Sequence, residues 1–154
     1  MPSFRNERRV RHRAQEMFDL VADVERYPEF VPLCQALRVR RRTKDEPGLE
    51  VLVADMEVGY RAIHEAFTSR VTLDRPRLRI VVEYVDGPFS RLENIWNFRD
   101  DPQAGFSTVE FFIAYDFRSR LLGVVMGSMF DIAFRKFSAA FEARADAIYG
   151  RKVG

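Results

Sequence analysis

From about Arg120 to Tyr149 the apolar and polar positions follow the 3.6-residue period of an amphipathic helix. Asp131, Arg135, Ser138, Glu142 and Asp146 make one polar stripe. Leu122, Met126, Met129, Phe130, Ala133, Phe137, Ala140, Phe141 and Ile148 fall on the other side. A helix of that length spans roughly 45 Å and needs a large apolar surface to lie on. Its second half, from Phe137, has a regular apolar face. Its first half, Leu121 to Phe134, is apolar nearly all round and carries Gly123 and Gly127. A helix that only packs has no need of this, so the pattern directs the search for a ligand, and for a gate, to that end.

The rest of the chain reads mostly as strands. Residues 3–11 are a short strand with charge on at least one face, and Arg13 to Val24 is a short helix with Met17, Phe18, Val21 and Val24 on one side. Tyr27-Pro28 breaks that helix, and a second helical turn with Phe30 and Val31 ends at Pro32. Gln35–Thr43 is a strand with Leu37 and Val39 inside a basic frame, and residues 44–48 are a turn. Long strands follow: Leu49–Tyr60, Ala62–Asp74, Leu78–Val85, Phe89–Arg99 and Phe106–Phe117, each rich in β-branched and aromatic residues. The short joins between them force antiparallel neighbours.

This order predicts a single α+β domain over residues 1–154, with six or seven antiparallel strands curled around one long helix. Val109, Phe111, Ile113, Tyr115 and Phe117 form one face of the last strand, and Leu92, Trp96 and Phe98 the matching face of the strand before it. Arg91, Glu93, Asn97 and Arg99 form that strand's polar outer face.

Composition narrows the chemistry. The chain has 154 residues, 14 of them Phe, so a sizeable aromatic core is available. A single cysteine, Cys34, excludes an internal disulfide and fits a reducing compartment. The polar N-terminus predicts no signal peptide. The longest apolar run, Leu121 to Phe130, is far short of the ~20 residues a membrane span needs. The expected location is the cytoplasm, with peripheral contact at the inner membrane as a variant of it.

Arginine is the strongest surface feature, at 5, 8, 9, 11 and 13 and again at 38, 40, 41 and 42, although the net charge is only +2. If the two strands that carry these residues lie side by side, their charge pools. Such a patch is a solvated edge, a contact for an anionic membrane, or a contact for ribosomal RNA. DNA is not expected.

Candidate chemistry is sparse. His12 and His64 have no Cys or carboxylate at ligand spacing, so no metal and no covalent cofactor are expected. Cys34 reads as a buried thiol rather than a nucleophile. Asp55 and Glu57 share a strand face with Val51 and Val53 and either pair with nearby arginines or project inward as an acid/base pair. Arg144 lies on the apolar arc of the long helix, where it pairs with a strand carboxylate, snorkels, or meets a ligand carbonyl or lipid headgroup. No phosphate loop, dinucleotide fingerprint or serine elbow is present. Met126, Met129, Phe130 and Phe134 offer adaptable apolar surface of the kind that fills a core or receives an isoprenoid tail.

Two stretches carry a family resemblance. Tyr27-Pro28-Glu-Phe30-Val-Pro32-Leu-Cys34 resembles a Tyr-Pro-x-Phe-x-Pro-aromatic-Cys pattern, with Leu33 where Trp often stands. Asp86-Gly87-Pro88-Phe89-x-x-Leu92, continued to Trp96-x-Phe98, resembles a Gly-Pro-Phe-x-x-Leu…Trp-x-Phe strand entry. A weaker likeness sits at Ala140-Phe141-Glu142-x-Arg144-Ala145. Together they resemble the coenzyme Q-binding START-domain family of the polyketide cyclase/START-like superfamily, which includes the ribosome-association toxin type.

The resemblance implies a helix-grip fold and a prenyl quinone, most simply ubiquinone, held between sheet and helix by a carrier that supports respiratory electron transport. A protein that binds the large ribosomal subunit is the alternative, and a cyclase- or aromatase-like enzyme the second. The implied ligand-binding set is Tyr27, Phe30 and Pro32 at the lip. Phe89, Leu92, Trp96, Phe111 and Ile113 would supply the strands' share. Leu122, Met126, Met129, Phe130, Ala133 and Phe137 would supply the helix's share.

Overall fold

The computed structural model describes residues 3–60 and 62–150; the expected domain's remaining positions, 1–2, 61 and 151–154, lie outside the described residues. Seven strands form one antiparallel sheet: β1 Ser3–Val10, β2 Cys34–Glu46, β3 Leu49–Tyr60, β4 Ile63–Asp74, β5 Arg79–Asp86, β6 Phe89–Asp100 and β7 Ser107–Phe117. Their spatial order is β1-β7-β6-β5-β4-β3-β2. Helix α1 (Ala14–Ala22) and a 3₁₀ turn (Val24–Glu29) connect the two edges, and α2 (Arg120–Tyr149) lies in the concave face. The fold class is the expected one.

Turn chemistry sets most of the joins. Gly48 (φ 77°) and Gly105 (φ 85°) take the left-handed conformation that closes the β2–β3 and β6–β7 turns. β2 runs three residues beyond its expected end, to Glu46, because Lys44-Asp45-Glu46 stays extended and only Pro47-Gly48 turns. β2 also slips register against β3 between Cys34 and Ala36, Val39 and Arg41, and Thr43 and Glu46. Such bulges bend and twist an edge strand, which helps the sheet curl.

One expectation fails here. β1 and β2 do not lie side by side; they are the opposite edges of the sheet. β1 closes against β7, with Ser3 opposite Ala114 and Val10 opposite Ser107, and α1 with the 3₁₀ turn carries the chain to the far edge. The two arginine groups are therefore separate. Most of these side chains are also engaged: Arg8 with Glu142, Arg9 with Asp101, Arg38 and Arg40 with Asp55, and Arg42 with Glu25 and Glu50.

The polar stripe of α2 has a use. Asn6 Nδ2 donates to Ser138 Oγ at 2.6 Å, Arg8 Nε to Glu142 Oε1 at 2.8 Å, and His12 Nε2 lies 2.7 Å from Asp146 Oδ1. Four helical residues rise about 6 Å and two strand residues about 7 Å. The first two contacts can therefore repeat in step along β1 and α2. Ser138 is buried by this contact, whereas Ile148, expected on the apolar side, is exposed.

Candidate functional site

Between α2 and the concave sheet lies a cavity of about 110 Å³. Alternation along the strands builds its walls: Ala54, Met56 and Val58 from β3, Phe67, Ser69 and Val71 from β4, and Ile80 and Val82 from β5. Leu92, Asn94 and Trp96 come from β6 and Phe111 and Ile113 from β7. Phe130, Ala133, Phe134, Phe137 and Phe141 form the helical wall, at the 3–4-residue spacing of one face. Tyr27, Val31, Pro32, Leu33 and Cys34 close one end.

The aromatic rings interlock. Trp96 meets Phe111 with centroids 4.7 Å apart and Phe141 at 5.0 Å, both edge-on. Phe89 stacks on Phe117 at 4.9 Å, and both rings reach Phe130. The few polar groups in the wall are largely turned toward protein partners. Trp96 Nε1 donates to Asn94 Oδ1 at 3.1 Å, Asn94 Nδ2 donates to the Phe112 carbonyl at 2.8 Å, and the Tyr27 hydroxyl donates to the Val21 carbonyl at 2.5 Å. Burial drives the Tyr27 hydroxyl far above its ordinary pKa and pushes the Cys34 thiol up to about 11, so both are neutral at physiological pH.

Among the described residues, no Asp, Glu, His, Lys or Arg lines this cavity. Of the two readings of Asp55 and Glu57, pairing with nearby arginines holds for Asp55 and the inward acid/base pair does not form, because Leu52, Ala54, Met56 and Val58 take the inner side of β3. Asp55 sits on the outer face with Arg40 and accepts from Thr68 Oγ1 at 2.6 Å, and Glu57 is exposed. Those hydrogen bonds, Thr68 first, hold the Asp55 carboxyl below the usual range. Arg144 Nη2 pairs with Glu29 at 2.7 Å and the guanidinium lies 5.1 Å from the Phe30 ring. It ties α2 to the 3₁₀ turn and reaches no cavity atom.

Ten of the fourteen sequence-derived site residues line the cavity: Tyr27, Pro32, Phe89, Leu92, Trp96, Phe111, Ile113, Phe130, Ala133 and Phe137. Phe30, Leu122, Met126 and Met129 do not. Phe30 packs behind the rim, edge-on to Phe141 at 5.0 Å. Met126 is buried, Leu122 and Met129 half-buried, in turns of α2 that pass beyond the Phe89–Phe117–Phe130 stack. The cavity thus lies beneath residues 130–141, further along the helix than the glycines and methionines suggest. The residues missing from the sequence-derived set come mainly from β3, β4 and β5. Their signal was the same two-residue alternation that located Leu92 and Trp96.

Similar proteins place this architecture. The sequence profile described as polyketide cyclase / dehydrase and lipid transport matches residues 10–142. A Rickettsia prowazekii protein named ribosome association toxin RatA is 30% identical over 151 residues, covering 96% of this chain and 99% of the relative. A Xenopus laevis protein named coenzyme Q-binding protein COQ10 homolog B, mitochondrial, is 30% identical over 141 residues, 90% of this chain and 55% of the relative. The solution structure of an 18 kDa Caulobacter crescentus protein superposes with a TM-score of 0.79 at 33% identity, over 98% of this chain and all of that one. The chain belongs to the polyketide cyclase / dehydrase and lipid transport family, START-like in fold, as the Tyr27–Cys34 and Asp86–Phe98 motifs imply.

Proposed function

We propose that the protein is a carrier that holds an apolar, isoprenoid-tailed molecule, of which ubiquinone is the simplest example, between sheet and α2. The observation that carries this reading is the lining itself: mostly aromatic and aliphatic side chains from six strands and one helix, with no carboxylate, imidazole or amine among the described residues. A wall of this kind offers dispersion and desolvation, at roughly 0.8 kcal/mol per buried CH₂, and no acid/base pair for a cyclisation. The relative named coenzyme Q-binding supports the ligand class.

A cavity of about 110 Å³ is smaller than the roughly 300–1,000 Å³ of most ligand sites. The reading therefore entails a closed resting state. α2 or the Tyr27–Cys34 segment moves outward on loading, and Phe30 and Phe141 are the rings displaced first. Organic extraction of purified protein followed by mass spectrometry tests the proposal. A prenyl quinone co-purifying in stoichiometric amount, and thermal stabilisation of the stripped protein by a short-chain ubiquinone, are expected. Protein that is always empty, and is not stabilised by quinone, contradicts it.

The end-to-end match to a protein named as a ribosome association toxin favours a second reading, in which the outer surface binds the ribosome. Co-sedimentation with large subunits at low salt, lost at high salt, is its signature. Absence of co-sedimentation at low salt removes it.

A further inference from the structure

The first four turns of α2 are apolar on the side facing away from the sheet as well as on the side facing it. Leu121 is 74% exposed, Val124 79%, Val125 40% and Ile132 54%. At 100° per residue these four fall within one sector of about 100°, and they form an apolar ridge interrupted by the exposed Ser128. Arg120 and Lys136, exposed and without an ion pair among the described residues, flank it at its two ends, while Arg135 is paired with Asp131 at 3.1 Å. No helix among the described residues is long and apolar enough to cross a membrane. An apolar ridge with basic flanks, on a helix too polar to span, is the arrangement that lies in the headgroup region of a bilayer.

We propose that this outer face of α2 docks the protein on an anionic lipid bilayer. Leu121, Val124 and Ile132 enter the acyl boundary, and Arg120 and Lys136 meet lipid phosphates. Charge decides against the other occupants. Two copies packed about a two-fold axis on this ridge would set Arg120 of one near Lys136 of the other if the helices ran antiparallel, or each near its own counterpart if they ran parallel, like charge on like in both cases. Nucleic acid would find aliphatic side chains where phosphate binding needs cations. The surface goes beyond the carrier reading and does not depend on cargo, yet it is well placed for it. Beside the ridge, Gly127 leaves a groove between α2 and the end of β7, with nothing but its own stretch of helix within 4 Å of where its Cβ would stand. The Phe117 ring borders that groove and contacts Phe89 and Phe130, which line the cavity.

Flotation with phosphatidylcholine–phosphatidylglycerol vesicles, and with phosphatidylcholine alone, tests the proposal on protein stripped of any cargo. Wild type is expected to float with the anionic vesicles, more weakly at high salt. The double variant V124S/I132S should partition about tenfold less or worse, because both side chains are solvent-exposed and their loss leaves the fold intact. R41A, which removes an exposed arginine of β2, should float like wild type. V124W gives an independent readout, since its added indole emission should shift to the blue on vesicles. No flotation of wild type, equal flotation of V124S/I132S, or an unshifted V124W emission overturns the proposal. So does a ridge that instead holds a dimer or a ribosomal subunit while vesicles are ignored. Failure here leaves the cavity reading untouched, and empty protein that still floats separates the two.

Discussion

At the residue scale, Cys34 is a reporter for the cavity. Its thiol lines the wall, is buried, and has its pKa raised by that burial from 9.0 to about 11. A raised folded-state pKa means that this group's contribution is fully present below pH ~9, where folded and unfolded forms both keep the proton. As pH rises from there through about 11, the unfolded state releases the proton first and stability falls. Cys34→Ser should therefore shift alkaline unfolding to higher pH. Native Cys34 should react slowly with Ellman's reagent at pH 8 and far faster in urea. Rapid labelling of the native protein would show that the cavity end is open. Phe141 is the complementary probe. It is almost fully buried and meets Tyr27, Phe30 and Trp96 within 5.5 Å, so Phe141→Ala should cost about 3–5 kcal/mol in urea unfolding. A loss below about 1 kcal/mol would mean that this ring is already loose.

At the scale of single elements, Gly87 and Gly127 make opposite predictions. Gly87, at the entry to β6, has φ +145°, and a Cβ there would stand 2.5 Å from Phe67 Cβ and 2.9 Å from its Cα. Backbone cannot give way cheaply, so Gly87→Ala should destabilise by more than the ~1–3 kcal/mol of conformational strain alone. Gly127, inside α2, has open space at that position, so Gly127→Ala should stabilise the fold by about 1 kcal/mol. If looseness at this end of α2 serves loading, the same change should slow ligand uptake, and a stopped-flow measurement would show it. Unchanged uptake would assign Gly127 no part in opening.

The element scale also shows what was legible in the sequence. The helical period found α2 with its bounds, and the two-residue alternation found the long strands, because each signal depends only on neighbours in the chain. The partner of the polar stripe was not legible. That Ser138 and Glu142 face Asn6 and Arg8 depends on β1 closing the sheet against β7, a long-range fact. The same fact separates the two arginine groups. The inward turn of Ala54 rather than Asp55 was within reach of the alternation, since Leu52, Ala54, Met56 and Val58 are the apolar set of that strand.

For the whole molecule, the sheet supplies a hollow rather than a solid core, and the hollow is apolar, aromatic and small. The lining fits the holding role proposed above, and the motif at Tyr27–Cys34 closes one end of the cavity. Ala133, buried in the helical wall, can be enlarged without touching any hydrogen bond of the site. Trp96 is the single tryptophan of the chain and lines the same cavity from β6, so its fluorescence reads the cavity alone. The most direct measurement is therefore a titration of Trp96 emission with a short-chain ubiquinone, in wild type and in Ala133→Phe. Saturable quenching at one quinone per chain in wild type, abolished in a folded Ala133→Phe variant, is the expected result. Quenching that never saturates, or that the filled cavity leaves unchanged, would contradict a carrier with its ligand between sheet and helix.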